Sequence, residues 1–161
     1  MIMDFMKYNT DKGTTHSYLE VYDKLFKDLK NINLLEIGTQ YGGSLEMWRD
    51  KFPGSNIYGI DINPLREPDG VTIIKGDATK EEILEKVKGV EFDVIIDDGS
   101  HKVEDQLKSL EIFYPKLNKG GLFIIEDIQD IDKDRDKFKG EIIDLRDVKG
   151  RYDDVLIIYK K

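Results

Sequence analysis

Apolar residues near the start of the chain recur at helical spacing: Tyr18, Leu19, Tyr22, Leu25, Phe26 and Leu29 share one face of residues 17–30. Ser17 and Glu20 stand in a capping-box arrangement that predicts where this helix begins. The pattern then changes. "NLLEIG" (33–38) is a short continuous apolar run that stops at glycine, and "NIYGIDI" (56–62), "VTIIKGD" (71–77), "FDVIIDD" (92–98) and "GGLFIIED" (120–127) repeat it. Between these strands, "SLEMWRDKF" (44–52), "TKEEILEKVK" (79–88, with Thr79 as cap) and "KVEDQLKSLEIFYPKL" (102–117) read as helices. Met47, Trp48, Phe113, Tyr114 and Leu117 are expected in the core. The tail supplies two final strands, "EIIDLRD" and "VLIIYKK", joined by a turn around Gly150.

Strands that are apolar throughout and alternate with helices imply a mostly parallel sheet covered on both faces. Only the last two strands lack room for a crossover helix, so they should form an antiparallel hairpin at one edge. The fold class expected is α/β, Rossmann-like, with seven strands in one domain over residues 1–161. The polar stretch "DKDRDKFKG" reads as a solvated loop. In open sheets of this kind the ligand lies outside the carboxyl ends of the strands. Glu36, Asp61, Asp77, Asp97, Asp98, Glu126 and Asp127 all lie at or just past such ends.

Charge narrows the partners. The formal net charge is -8, with lysines interleaved among acids, so a phosphate backbone would be repelled and no nucleic acid is expected. There is no cysteine, which excludes disulfides and sulfur metal sites. No run of apolar residues is long enough to span a bilayer and no leader pattern is present, so a cytoplasmic protein with no membrane partner is expected.

The turn after the first strand, "EIGTQYGGS", does not have the G-x-G-x-x-G spacing of a pyrophosphate site, nor a P-loop lysine. Glu36 just before Gly38 suits a ligand that is not anionic. Asp61 is placed to accept hydrogen bonds from ribose hydroxyls, and Asp77 to accept one from an adenine amine. The plainer reading is a glycine turn that only joins strand to helix. The second half raises a different problem, because two carboxylates about 4 Å apart repel by roughly 4 kcal/mol at an effective dielectric of 20. A divalent cation removes it, and oxygen ligands without cysteine favour a hard ion such as Mg²⁺. Asp98, Glu126 and Asp127 are the expected ligands. Asp97 should point elsewhere, since side chains alternate along a strand. His101, at the start of the next helix, feels the helix N-terminus and the nearby acids in opposite senses, which suits a general base. Its plainer role is a helix cap. His16 either lines the pocket or caps the first helix.

With these residues in place, the chain resembles S-adenosylmethionine-dependent methyltransferases, and among them the metal-dependent O-methyltransferases that act on macrolide sugars. "DKGTTHSYLEVYDKLF", "LLEIGTQYGGSLEMW", "IYGIDI", "IIDDGSH", "GGLFIIED" and "GRYDDVLII" carry the resemblance. It implies S-adenosylmethionine and Mg²⁺ as cofactors and a small-molecule hydroxyl, on a sugar or other vicinal diol, as acceptor. By position it puts the metal on Asp98, Glu126 and Asp127, the catalytic base on His101 and the ribose-binding acid on Asp61. It also implies cofactor contacts from "GTTHSY", taken here as Thr15 and Tyr18, and Glu36, Gly38, Ser44, Asp77 and Asp98 complete the expected cofactor site. Residues 1–30 become a helical lid. The substrate half is pared down, since only "IQDIDKDRDKFKG" stands where covering segments are expected, and pairing into a homodimer would compensate. The competing readings are a non-catalytic cofactor-binding module and a metal-dependent hydrolase or hydroxylase-like enzyme.

Overall fold

The computed structural model describes residues 5–161. One seven-stranded sheet runs through it in the order β3-β2-β1-β4-β5-β7-β6. β1 (Asn33–Ile37) lies parallel to β2 (Asn56–Asp61) and to β4 (Phe92–Asp97), while β3 (Thr72–Lys75) extends the sheet beyond β2 and β5 (Leu117–Ile125) follows β4. β7 (Val155–Lys160) is antiparallel both to β5 and to the edge strand β6 (Glu141–Asp144). The expected hairpin is therefore present, with its second strand inserted next to β5. A one-turn helix, α5 (Arg146–Lys149), and Gly150 at φ +71° form its connection.

Paired apolar residues explain how both faces are covered. Leu34 and Leu35 on β1, Val94 and Ile95 on β4, and Ile124 and Ile125 on β5 point alternately to opposite sides. Leu35, Ile95 and Ile125 enter a core shared with Phe113 of α3 (Val103–Phe113), whereas Leu34, Val94 and Ile124 meet Tyr22 and Phe26 of α1 (Leu19–Phe26) and Trp48 of α2 (Gly43–Lys51). Tyr22, Phe26, Trp48 and Phe52 pack tilted, edge to face or stacked on that second side. The residues expected in the core are buried there, apart from Tyr114, which packs partly exposed against the first core.

Three local expectations are corrected. α1 has no side-chain cap: Tyr18 is its N-cap residue, the Ser17 amide donates instead to Asp154 Oδ1 at 3.0 Å, and Glu20 pairs with Lys24. A distant carboxylate has taken the role of the local cap. Residues Glu81–Val87 form a 3₁₀ helix, and the Thr79 hydroxyl donates to Asp77 Oδ1 at 2.7 Å rather than capping it. The polar stretch after β5 is not a solvated loop. It winds into α4 (Ile131–Asp134), capped by Asp130, because Ile128, Ile131 and Phe138 are buried and anchor it. Among the described residues no helix is long and apolar enough to cross a membrane.

Candidate active site

Strand order reverses between β1 and β4, and the ends of these strands and of β5 open the crevice where α/β sheets bind ligands. The ladder continues past the strands and sets the height of each acid. The Asp98 amide donates to Ile37 O at 2.8 Å and the Glu126 amide to Asp97 O at 3.0 Å. The chain can turn at Gly38 only without a side chain. Its φ is +86°, and a Cβ there would stand 2.1 Å from the Asp98 carbonyl oxygen.

Two cavities meet at this turn. The larger, of about 500 Å³, is bordered by Gly38, Asp61, Asp77, Ala78, Asp97 and Asp98. The smaller, of about 180 Å³, lies under the segment carrying Asn9, Thr10 and Asp11 and is reached by Ser44, His101 and Asp127. Gly38, Gln40 and Asp98 border both. Asp61 accepts the amides of Thr39 at 2.7 Å, Gln40 at 3.1 Å and Asn63 at 2.8 Å. Burial works against its ionisation, but these amides outweigh it and hold the carboxyl below the usual range. Asp77 is lowered by the Thr79 hydroxyl and amide.

Asp97 and Asp98 diverge as expected. Asp97 receives hydrogen bonds from the Ser109 hydroxyl and the Gly99 amide, and burial pushes it up to about 6. Asp98 turns to Lys12, a residue that sequence reasoning did not single out. The Lys12 side chain is fully buried. Its Nζ donates to Asp98 Oδ2 at 2.9 Å and to both Glu126 oxygens at 2.9 and 2.8 Å, and stands 3.6 Å from Glu36. Glu126 also accepts the Tyr22 hydroxyl. Glu36 accepts the Ser44 hydroxyl and, at 2.9 Å, the Trp48 indole N–H. Burial raises Glu126 well above the carboxylate range and raises Glu36 too. It pulls Lys12 downward, but Asp98, Glu126 and Glu36 reverse that and raise it. The shifts share one sense for different reasons, burial raising the two acids and the acids raising the lysine.

His101 and Asp127 both sit in the left-handed region, at φ +62° and +57°, a strained placement that points their side chains at each other. His101 Nε2 is 3.5 Å from Asp127 Oδ2. Asp127 Oδ1 accepts the Tyr18 hydroxyl and is 3.4 Å from His16 Nε2. Burial and the Asp98 charge raise Asp127. Asp98, His101 and Asp127 each present a donor atom, and these atoms lie within 4.8 Å of one another. Two carboxylates and one imidazole are a donor set that fits a divalent cation. Glu126, expected as the third carboxylate ligand, is not in this group, since its oxygens face Lys12 and Tyr22.

Thr15 is exposed, and Tyr18 and Glu36 are buried in hydrogen-bonded positions; none of the three borders either cavity. His16 neither caps α1 nor borders either of these cavities. It is buried, stacked 4.7 Å from Tyr18, with Nδ1 3.4 Å from Asp154. The only sequence sign of Lys12 was indirect: an excess of inward acids calls for an internal cation, but nothing in "TDKGTTH" marks which lysine turns inward.

The sequence pattern of FtsJ-like methyltransferases matches residues 17–144. Mycinamicin VI 2''-O-methyltransferase of Micromonospora griseorubida is 37% identical over 136 residues, covering 76% of this chain and 34% of that protein. Ribosomal RNA large subunit methyltransferase E of Methanococcus maripaludis is 32% identical over 147 residues, covering 76% of this chain and 57% of that protein. The solved structure of MycE methyltransferase in complex with Mg, SAH and mycinamycin VI superposes with a TM-score of 0.71 at 35% identity, over 76% of this chain and 35% of that one. The chain thus spans about a third of the length of its macrolide-sugar relatives. With the match extending over most of its length, the chain belongs to the FtsJ-like methyltransferase family.

Proposed function

We propose that this domain, a single unit over residues 1–161, transfers a methyl group from S-adenosylmethionine to a hydroxyl of a small molecule, a sugar or another vicinal diol. The meeting of the two cavities at Gly38, Gln40 and Asp98 is the observation that carries this reading. The larger cavity has the size of a nucleoside site and ends in carboxylates of the kind that take ribose hydroxyls and an adenine amine, roles assigned here to Asp61 and Asp77. The smaller, polar cavity takes the acceptor, and the segment from Asn9 to Asp11 covers it. A hydroxyl entering there meets His101, whose imidazole is held toward Asp127 and is assigned the role of accepting the hydroxyl proton as oxygen attacks the methyl carbon. Asp98 and Asp127, with Glu126 adjoining, would hold Mg²⁺ and leave the His101 imidazole free for the proton; the ion would supply a lowered hydroxyl pKa and a fixed oxygen position. The negative rim also favours the cationic sulfonium over its neutral product.

The MycE complex with Mg and SAH supports the cofactor pair, and the net charge of -8 favours a small acceptor over RNA. Calorimetric titration with S-adenosylmethionine, S-adenosylhomocysteine and NAD, with and without Mg²⁺, tests the cofactor. Binding of the first two alone is expected. Methyl transfer to a panel of glycosides, catechols and ribosomal RNA tests the acceptor. Cofactor binding with no transfer to any of them would leave a binding module as the reading.

A further inference from the structure

Lys12 reaches the acid rim from the segment before α1, and its position is fixed from both ends. Its amide donates to Thr10 Oγ1 at 3.4 Å and its carbonyl accepts the Tyr18 amide at 3.1 Å. The following residues are clipped from outside by Lys149, whose Nζ donates to the carbonyls of Gly13 at 3.0 Å, Thr14 at 3.0 Å and His16. The ammonium is therefore not on a loose tether. It is wholly enclosed, and its neighbours are carboxylates from the ends of three adjacent strands: Glu36 of β1, Asp98 after β4 and Glu126 after β5. Asp98 has a second attachment, because it also belongs to the donor group with His101 and Asp127. Glu126 precedes Asp127 directly. One carboxylate, and the neighbour of another, thus serve an internal cation on one side and face the cavity on the other.

We propose that Lys12 is the resident counter-cation of this rim and competes with a divalent ion for Asp98 and Glu126, so that the lysine sets how tightly the ion is held. The proposal rests on the divalent-cation reading above. Lys12 touches neither cavity and acts as a positioning residue. Without a metal it neutralises part of the charge on Glu36, Asp98 and Glu126 and holds the strand ends together. When a divalent ion enters, both cations draw on Asp98 and repel each other across a few ångströms of buried space. Removing the lysine charge leaves buried acids uncompensated, which harms the metal-free fold but makes the rim a stronger cation trap.

The test is calorimetric titration of the full chain with Mg²⁺ alone, in wild type, Lys12→Met and Lys12→Arg, together with thermal unfolding in EDTA and in rising Mg²⁺. Lys12→Met should bind Mg²⁺ at least about tenfold more tightly, whereas Lys12→Arg stays within about threefold of wild type. Lys12→Met should also melt lower in EDTA and recover more on adding Mg²⁺, by linkage. Equal or weaker Mg²⁺ binding by Lys12→Met, with wild type binding normally, overturns the proposal alone. Absence of binding by both proteins sinks the divalent-cation reading and the proposal with it. Should Lys12→Met fail to fold, ¹⁵N–¹H spectra of the wild-type lysine ammonium groups decide. One solvent-protected resonance should shift on adding Mg²⁺, and a protected resonance that stays in place while Mg²⁺ binds overturns the proposal.

Discussion

Glu36, Asp98, Glu126 and Asp127 share the rim of the sheet with one ammonium and two phenols, those of Tyr18 and Tyr22. These donors spread the negative charge. His101 stands at the open side of the group, and its substitution separates chemistry from binding. His101→Ala should lower methyl transfer by about 10²–10⁴-fold while leaving S-adenosylhomocysteine affinity nearly unchanged, as read by single-turnover assay and calorimetry. Retained turnover would remove the base assignment. Asp97 makes a separate prediction. Burial lifts it to about 6 from 3.8, so between those values the folded protein keeps a proton that the unfolded chain has released. Its contribution to stability is therefore greatest below pH 3.8 and falls as pH rises through 6. Asp97→Asn should gain on wild type by up to about 3 kcal/mol at pH 8, with the gain vanishing near pH 4. Urea unfolding across that range checks this, and a gain independent of pH contradicts it.

The β1–α2 turn is the element on which the site depends most. Gly38→Ala combines a disfavoured φ with a clash against the Asp98 carbonyl oxygen, and it should cost about 2–3 kcal/mol and abolish cofactor binding. Thermal unfolding and S-adenosylhomocysteine titration measure both, and normal binding would refute the close approach. A second element-level prediction concerns the clip from α5. Lys149→Ala should speed amide hydrogen exchange across residues 12–18 while leaving β5 and β7 protected, because only the segment's outer carbonyls lose a partner. Strand identity was legible in the doubled apolar residues, since a buried parallel sheet needs both faces filled. Caps were not. Ser17 and Thr79 have the right chemistry for helix starts, but Asp154, brought near by the tertiary fold, takes the Ser17 amide, and Asp77, two residues earlier, takes the Thr79 hydroxyl.

For the whole molecule, burial of ligand at the switch point ties cofactor occupancy to global stability. S-adenosylhomocysteine at about a hundred times its dissociation constant should stabilise the fold by about 2.7 kcal/mol, read as a rise in Tm that NAD does not reproduce. The cavities lie between the two halves of the sheet, with β1 to β3 on one side and β4 to β7 on the other, so the stabilisation should be felt by both. Tm unchanged by saturating S-adenosylhomocysteine would separate this chain from the cofactor chemistry of its relatives.

The amino-acid sequence alone determined where the strands lie along the chain, their mostly parallel sense, the edge hairpin and the gathering of acids at one rim. These follow from periodicity and connection length, which are local. Tertiary structure alone decided which acids face one another and which cation stands between them. Lys12 lies far along the chain from Asp98 and Glu126, and only the folding of the N-terminal segment across the sheet brings its ammonium to them. It also decided that Glu36 turns to Ser44 and Trp48, and that Asp127 faces His101, because side-chain direction at a strand end depends on backbone angles that no residue pattern encodes.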